Sequence, residues 1–193
     1  MRQRYINSWR RAWPAILAAL VLQSASALQP PPRAMEPKKL APYVTSPQPI
    51  VEKMLEIAKL KNGETLFDLG CGDGRILFSA ARTFGAKAVG VELSPTLVRR
   101  VQQSAESQGL QDQVKVIEGD MMSVDVASAN VVSLYLMTDA NEQLRPKLEK
   151  ELKPGSRVVS LEFKIKGWKP SKVEKVEVHR HPYTIYLYDL PQK

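Results

Sequence analysis

Thr65-Leu-Phe-Asp-Leu-Gly-Cys-Gly-Asp-Gly-Arg75 is an apolar stretch that stops in glycines at positions 70, 72 and 74. Leu66, Phe67 and Leu69 suit a short strand buried on both faces. Gly70, Gly72 and Gly74 then allow positive φ and let a ligand approach the backbone. Arg75-Ile-Leu-Phe-Ser-Ala-Ala-Arg82 reads as a helix whose first amides point back at the loop. A glycine turn between strand and helix is the usual phosphate cradle of nucleotide folds. Dinucleotide binders, however, carry Gly-x-Gly-x-x-Gly, and Arg75 stands where the third glycine belongs. Asp68 and Asp73 also argue against a pyrophosphate, which two carboxylates repel, and for a ligand carrying ammonium and sulfonium charge.

Downstream, Lys87-Ala-Val-Gly-Val-Glu-Leu93 reads as a second buried strand ending in Glu92. This carboxylate falls about 20 residues after the loop, the distance at which a parallel βαβ unit places an acid on ribose hydroxyls. Ser94-Pro95 opens a helix carrying Leu97, Val98, Val101 and Ala105 that ends near Gly109, and Val114-Lys-Val-Ile117 is a third strand. Asn130 to Leu136 and Arg157 to Phe163 are the fourth and fifth strands, separated by a helix from Leu144 to Leu152 that Pro146 is expected to kink or restart. Five strands in βα alternation indicate a parallel doubly wound sheet. The rhythm then changes, because Gly167 and Pro170 leave no room for a crossover helix. Val173–Val178 and Thr184–Leu190 are therefore predicted to pair as an antiparallel hairpin turning through His179-Arg-His-Pro182. Tyr186 and Tyr188, two apart, share one face of the last strand.

Upstream, Ser46 is a candidate cap for a helix with Pro47 at its first position and an apolar face of Ile50, Val51, Met54, Leu55, Ile57 and Ala58. The segment Pro42-Tyr-Val-Thr45 leads into the first strand from outside the sheet and is placed to fold over a ligand as a lid, with Tyr43 as its candidate site residue.

A chain of 193 residues with 44% hydrophobic and 25% charged residues is long enough for one well-packed domain. Its first 35 residues contain no acid. A basic opening leads into the apolar run Trp13–Leu22 and the small-residue site Ala25-Ser-Ala27. An apolar run of about ten residues is too short to cross a bilayer core of ~30 Å. Residues 1–27 therefore read as a targeting or signal segment, 28–40 as a proline-rich linker and 41–193 as the catalytic domain. The apolar run and the small-residue site suit a secretory-type signal, while the arginine-rich, acid-free composition also suits a mitochondrial one; mitochondrial delivery is the favoured destination, with export or membrane association through the N-terminal segment as the alternative. Of the formal charge of +8, Arg2, Arg4, Arg10 and Arg11 lie in that segment, leaving +4 for the rest. This, with Lys164, Lys166, Lys169, Lys172 and Lys175 read as a solvated face, gives no case for nucleic acid. Cys71 is the only cysteine, so no intramolecular disulfide forms, and nothing near it in sequence would activate it. His179 and His181 match no zinc pattern, and no metal is expected.

The loop Gly70-Cys-Gly-Asp-Gly74 together with Glu92 resembles the cofactor half of class I S-adenosylmethionine-dependent methyltransferases. That resemblance implies a Rossmann-like, mostly parallel seven-stranded sheet with a reversed last strand. It also implies S-adenosyl-L-methionine as cofactor, with Asp68, Gly70, Gly72, Asp73, Gly74 and Glu92 around it, Asp120 on the adenine amino group and Met121 against the adenine ring. More of the chain takes part. The series Pro42-Tyr-Val, Asp68-Leu-Gly-Cys-Gly-Asp-Gly-Arg-Ile76, Gly119-Asp-Met121, Leu134-Tyr-Leu136 and Lys153-Pro-Gly155 resembles the lysine methyltransferases that modify the ATP synthase c-ring protein and the adenine nucleotide translocase, and their bacterial relatives. It implies a protein substrate, including one embedded in a membrane.

Methyl transfer from a sulfonium is an in-line displacement that needs alignment, exclusion of water and, for a lysine acceptor, loss of a proton. Tyr135, Asp139 and Glu162 are the candidates to take or relay that proton. Absence of an Asn-Pro-Pro-Tyr or Asp-Pro-Pro-Tyr sequence after the fourth strand counts against nucleic-acid and glutamine nitrogens as acceptors. Three readings are open on the sequence: a protein-lysine methyltransferase, a methyltransferase of a small molecule such as a quinone or lipid precursor, and a module that binds the cofactor without catalysis.

Overall fold

A computed structural model describes residues 44–192; Tyr43 and the targeting and linker segments lie outside the described residues. These residues form helices α1 (Gln48–Ile57), α2 (Arg75–Phe84), α3 (Pro95–Ser107) and α4 (Thr138–Glu151). The strands are β1 (Thr65–Leu69), β2 (Lys87–Glu92), β3 (Val114–Glu118), β4 (Val131–Leu134), β5 (Arg157–Leu161), β6 (Lys172–Val178) and β7 (His181–Asp189). They make a seven-stranded sheet in the order β3-β2-β1-β4-β5-β7-β6. The first five are parallel, while β7 runs antiparallel to both β5 and β6. The α/β, doubly wound expectation with a C-terminal hairpin is thereby met. The order reverses between β1 and β4, and in such sheets the crevice beyond the carboxyl ends of those strands is where ligands bind.

Alternate strand residues feed two cores. Leu66, Val131, Val159 and Leu161 pack with α1, α2 and α3, while Phe67, Leu69, Val132, Leu134 and Val158 pack with α4 and Trp168. Burial on both faces is why these strands are continuous apolar runs. A tetrapeptide, Val-Val-Ser-Leu, occurs in both β4 and β5, but Ser133 pairs with Val159 and Leu134 with Ser160. The one-residue offset turns the two serines to opposite faces of the sheet.

Four local expectations are corrected. Ser46 does not cap α1: Pro47 occupies the cap position, without a side-chain bond, and the Ser46 carbonyl accepts from the Arg75 guanidinium instead. Helix α4 begins at Thr138 and runs through Pro146, with Ala140, Leu144 and Leu148 buried on either side of the proline. Strand β5 stops at Leu161 because Glu162 takes a left-handed φ of 65°. The hairpin turn is only His179-Arg180, both at positive φ (53° and 63°), a pair of dihedrals matched to the twist of a two-residue hairpin. His181 and Pro182 belong to β7. Pairing with β5 begins only at Ile185, so Pro182 removes no ladder bond on that side. Tyr186 and Tyr188 do share a face: both join the second core, where the Tyr188 hydroxyl accepts from the Ile165 amide (3.0 Å).

Candidate active site

The glycine loop is held against the end of β2. Gly70 and Cys71 both donate their amides to the Val91 carbonyl (2.8 and 3.0 Å), and Gly72 donates to Glu92 Oε2 (3.0 Å). Glu92 Oε1 accepts from the Ser94 amide (2.8 Å). The acid predicted from spacing is thus braced by the loop and by the start of α3. Gly90 explains how β2 can lie so close, since a Cβ there would sit 2.5 Å from Cys71 Sγ and 2.7 Å from Leu77 Cδ1. At Gly74, φ is +77° and a Cβ would meet Val101 Cγ1 at 3.0 Å, so the αL entry into α2 admits no side chain. Cys71 is buried, and burial pushes its thiol up, away from any nucleophilic role.

Three carboxylates converge on this loop, in different states. Asp73 is paired with Arg75, Nη2 to Oδ2 at 2.6 Å and Nε to Oδ1 at 3.0 Å. Arg75, in the place of a third glycine, therefore ties the loop to the segment before α1 and compensates the Asp73 charge. Asp68 is only 3% exposed, accepts from Ser133 Oγ at 2.7 Å and has no ion pair among the described residues. Burial raises its carboxyl to about 7, helped by Glu92 and Asp73 and opposed by the Ser133 hydrogen bond.

Glu92 pairs in register with Glu118, which brings the turn after β3 alongside the loop. Asp120 Oδ1 accepts from the Met122 amide (2.9 Å), fixing that turn. Met121 is buried, and a Cβ on Gly70 would lie 3.9 Å from its Cε and 3.4 Å from Leu136 Cδ2. An apolar wall thus stands beside Gly70, with carboxylates on either side.

The edge where the sequence reading puts the acceptor is assembled from β4, β5 and β7. Tyr135 is half-buried, its ring 6.4 Å from that of Phe163. Burial, then the Glu162 carboxylate and Tyr183, push the Tyr135 phenol up from its ordinary value. Glu162 is bound twice to Thr184: its amide donates to the Thr184 carbonyl (2.7 Å), and its Oε1 accepts from the Thr184 amide (2.6 Å). Asp139 is exposed in the first turn of α4, and no hydrogen bond or ion pair among the described residues joins it to Tyr135. Residues not singled out from sequence are Ser133, Asn141, Ser160, Phe163 and Tyr183. A serine inside each apolar strand was the available signal for Ser133 and Ser160.

A sheet reversed in its last strand, a glycine loop after β1 and a braced acid at the end of β2 define a class I S-adenosylmethionine-dependent methyltransferase. A family model described as the ANTKMT methyltransferase domain matches residues 68–172, and the chain belongs to that family. It is 48% identical over 148 residues to a protein-lysine N-methyltransferase of Saccharolobus islandicus, covering 76% of this chain and 92% of the relative. It is also 31% identical to the lysine N-methyltransferase of the ATP synthase c-ring protein in Rattus norvegicus, over 79% of this chain and 68% of the other. Among solved structures, an RNA methyltransferase of Salinibacter ruber bound to S-adenosyl-L-homocysteine is 40% identical, with a TM-score of 0.72, covering 78% of this chain and 95% of that one.

S-adenosyl-L-methionine is the cofactor, and the residues present fit it. Glu92, oriented by two amides, would take ribose hydroxyls. Met121 and Leu136 beside Gly70 would take an apolar ring, and Asp68, buried without a counter-cation, would face positive charge. When bound, the cofactor supplies a methyl group on a cationic sulfur, an electrophile that needs no protein nucleophile.

Proposed function

We propose that this methyltransferase acts on a lysine side chain of a protein. The observation that carries the reading is the 48% identity, across 92% of its length, to a protein-lysine N-methyltransferase. The acceptor edge supports it. A lysine of ordinary pKa near 10.4 is neutral in roughly one molecule in a thousand at pH 7.4, equivalent to about 4 kcal/mol. A carboxylate able to receive its proton is therefore a main requirement, and Glu162, with no ion pair among the described residues, is the group for it. Tyr135 orients the amine. RNA is the other reading, favoured by the name of the Salinibacter ruber structure. Glu92, Asp120, Asp139 and Glu162 on the same edge speak against it, since they would repel a phosphate backbone.

Incubation of the purified protein with methyl-tritiated S-adenosyl-L-methionine and whole-cell extract, followed by acid hydrolysis and amino-acid analysis, tests the reading. Label in methylated lysine is expected. Label confined to nuclease-sensitive material would overturn it in favour of RNA, and label only in the organic phase in favour of a quinone or lipid acceptor.

The acid-free, arginine-containing leader supports delivery to mitochondria, where membrane-embedded proteins are within reach as substrates; export or membrane association through the leader is the alternative. No helix among the described residues is long and apolar enough to cross a membrane. A shortened, protease-protected product after incubation of the full chain with isolated mitochondria is expected, and its absence argues for the alternative.

A further inference from the structure

Phe163 is an aromatic residue that neither core accounts for. It is half-exposed and belongs to neither buried cluster among the described residues, whereas Tyr135 and Tyr183 both pack against the first. Its backbone is nonetheless fixed with unusual care, because its carbonyl accepts from Ser160 Oγ (2.6 Å) and from Asn141 Nδ2 (3.2 Å). Ser160 and Asn141 are both fully buried. Asn141 Oδ1 finds no hydrogen-bond partner among the described residues, so this anchorage leaves a buried acceptor unmet. The preceding residue, Glu162, is held left-handed at φ 65°, a conformation that is costly for a residue with a Cβ. Tyr135 stands beside Phe163 at 6.4 Å with the rings inclined by 31°. Tyr183, half-exposed at the start of β7, is adjacent to Thr184, to which Glu162 is bonded, and its ring is braced by His181 at 4.6 Å, edge to face. Tyr135 is thus the centre of the group: the Phe163 ring adjoins it, and Glu162 and Tyr183 both lie near enough to act on its phenol, with Glu162 in no ion pair among the described residues.

We propose that Phe163 and Tyr183, with Tyr135 and Glu162, form an aromatic box that receives the acceptor ammonium, and that these two rings set how many methyl groups it collects. The inference rests on the lysine reading above. Aromatic faces attract a cation, and this attraction persists when N–H bonds are replaced by methyl groups, whereas a carboxylate loses a hydrogen-bond donor at each replacement. The box therefore keeps a mono- or dimethylated product in place while the spent cofactor is exchanged. In each round the neutral nitrogen's lone pair forms the N–C bond, the C–S bond breaks, and its electrons neutralise the sulfur. The nitrogen becomes cationic and gives a proton to Glu162, which releases it to water before another round. After a third methyl no proton remains, and the reaction stops.

Phe163→Leu and Tyr183→Leu keep apolar volume and remove the π face. Methylated lysines in a hydrolysed cell extract are quantified by mass spectrometry after reaction with wild type and with each variant, at matched total methyl incorporation. The ratio of di- plus trimethyl-lysine to monomethyl-lysine is expected to fall by about fivefold in each variant, the equivalent of ~1 kcal/mol of lost cation–π attraction. Phe163→Tyr and Tyr183→Phe restore the wild-type ratio. Tetramethylammonium chloride supplies a second readout: it inhibits wild type more than sodium chloride at equal ionic strength, and the difference disappears in the leucine variants. If a leucine variant is too unstable to assay, the wild-type comparison of the two salts decides, and equal inhibition refutes the box. An unchanged ratio in folded variants, or a wild type that makes only monomethyl-lysine, also refutes it while leaving the lysine reading intact. No methyl-lysine from wild type removes both.

Discussion

Asp68 sets up the sharpest test of the donor site. Its carboxyl is buried beneath the glycine loop with a single hydroxyl donor, Ser133, and its pKa is about 7 in the folded chain against an ordinary value of 3.8. A carboxyl raised on folding is penalised wherever the unfolded chain is ionised. The penalty is absent below about pH 3.8, grows between that value and 7, and is complete above 7. At 1.36 kcal/mol per pH unit, it is roughly 1.7 kcal/mol at pH 5 and about 4 kcal/mol at pH 9. Asp68→Asn removes the titration and keeps an oxygen in place for the Ser133 hydroxyl. Urea unfolding of the cofactor-free protein at pH 5, 7 and 9 reads the result. The stability difference, variant minus wild type, is expected to rise by about 2–3 kcal/mol across that range. Other titrating groups cancel in the difference. A difference that stays flat from pH 5 to 9 would show that Asp68 is ionised throughout, and the account of a neutral carboxyl awaiting a cation would fail.

Three further perturbations test the frame around it. Gly90→Ala forces a methyl to within 2.5–2.9 Å of Cys71 and Leu77, and is expected to cost about 2–3 kcal/mol by urea unfolding, part of it recovered when Cys71→Ala is added. Glu92→Ala removes the carboxylate held by Gly72 and Ser94, and should weaken S-adenosyl-L-methionine binding in calorimetry by at least tenfold; unchanged affinity would exclude Glu92 as a cofactor ligand. Arg157 reaches Glu64 Oε1 (2.6 Å) and the carbonyls of Ala58 and Lys59 (both 2.8 Å), fastening the end of α1 to the β1 and β5 entrances. Arg157→Lys cannot span all three, and a loss of about 1–2 kcal/mol in unfolding free energy is expected.

The donor half was legible because its information is local. Strands β1 and β2 are buried on both faces and so appear as apolar runs, and the glycines and Glu92 lie at spacings fixed by one βαβ unit. What escaped depends on residues far apart in sequence. Arg75 meets the Ser46 carbonyl 29 residues away, so neither its part in the loop nor the failure of Ser46 to cap α1 could be seen from neighbours. Ser133 reaches Asp68 across 65 positions, through the β1–β4 pairing created by the chain reversal. The left-handed Glu162 follows from a bond to Thr184, 22 residues on, and its own residue type argues against it. Asp139, read from its place after β4, stands in the exposed first turn of α4.

The repeated Val-Val-Ser-Leu shows how one register step divides the labour of the site. Had Leu134 paired with Leu161 rather than Ser160, both serines would face the same core and one half of the site would lose its polar anchor. With the observed offset, Ser133 turns toward β1 and holds Asp68 under the donor loop, while Ser160 turns the other way and holds the Phe163 carbonyl under the acceptor edge. Each serine is fully buried, Ser133 on Asp68 and Ser160, together with Asn141, on the Phe163 carbonyl. The two substrates of a displacement must be aligned to within fractions of an ångström. In the proposed site donor and acceptor supports grow from adjacent strands of one sheet, so their relative position is fixed by backbone ladder bonds rather than by the loops that carry the contacting groups.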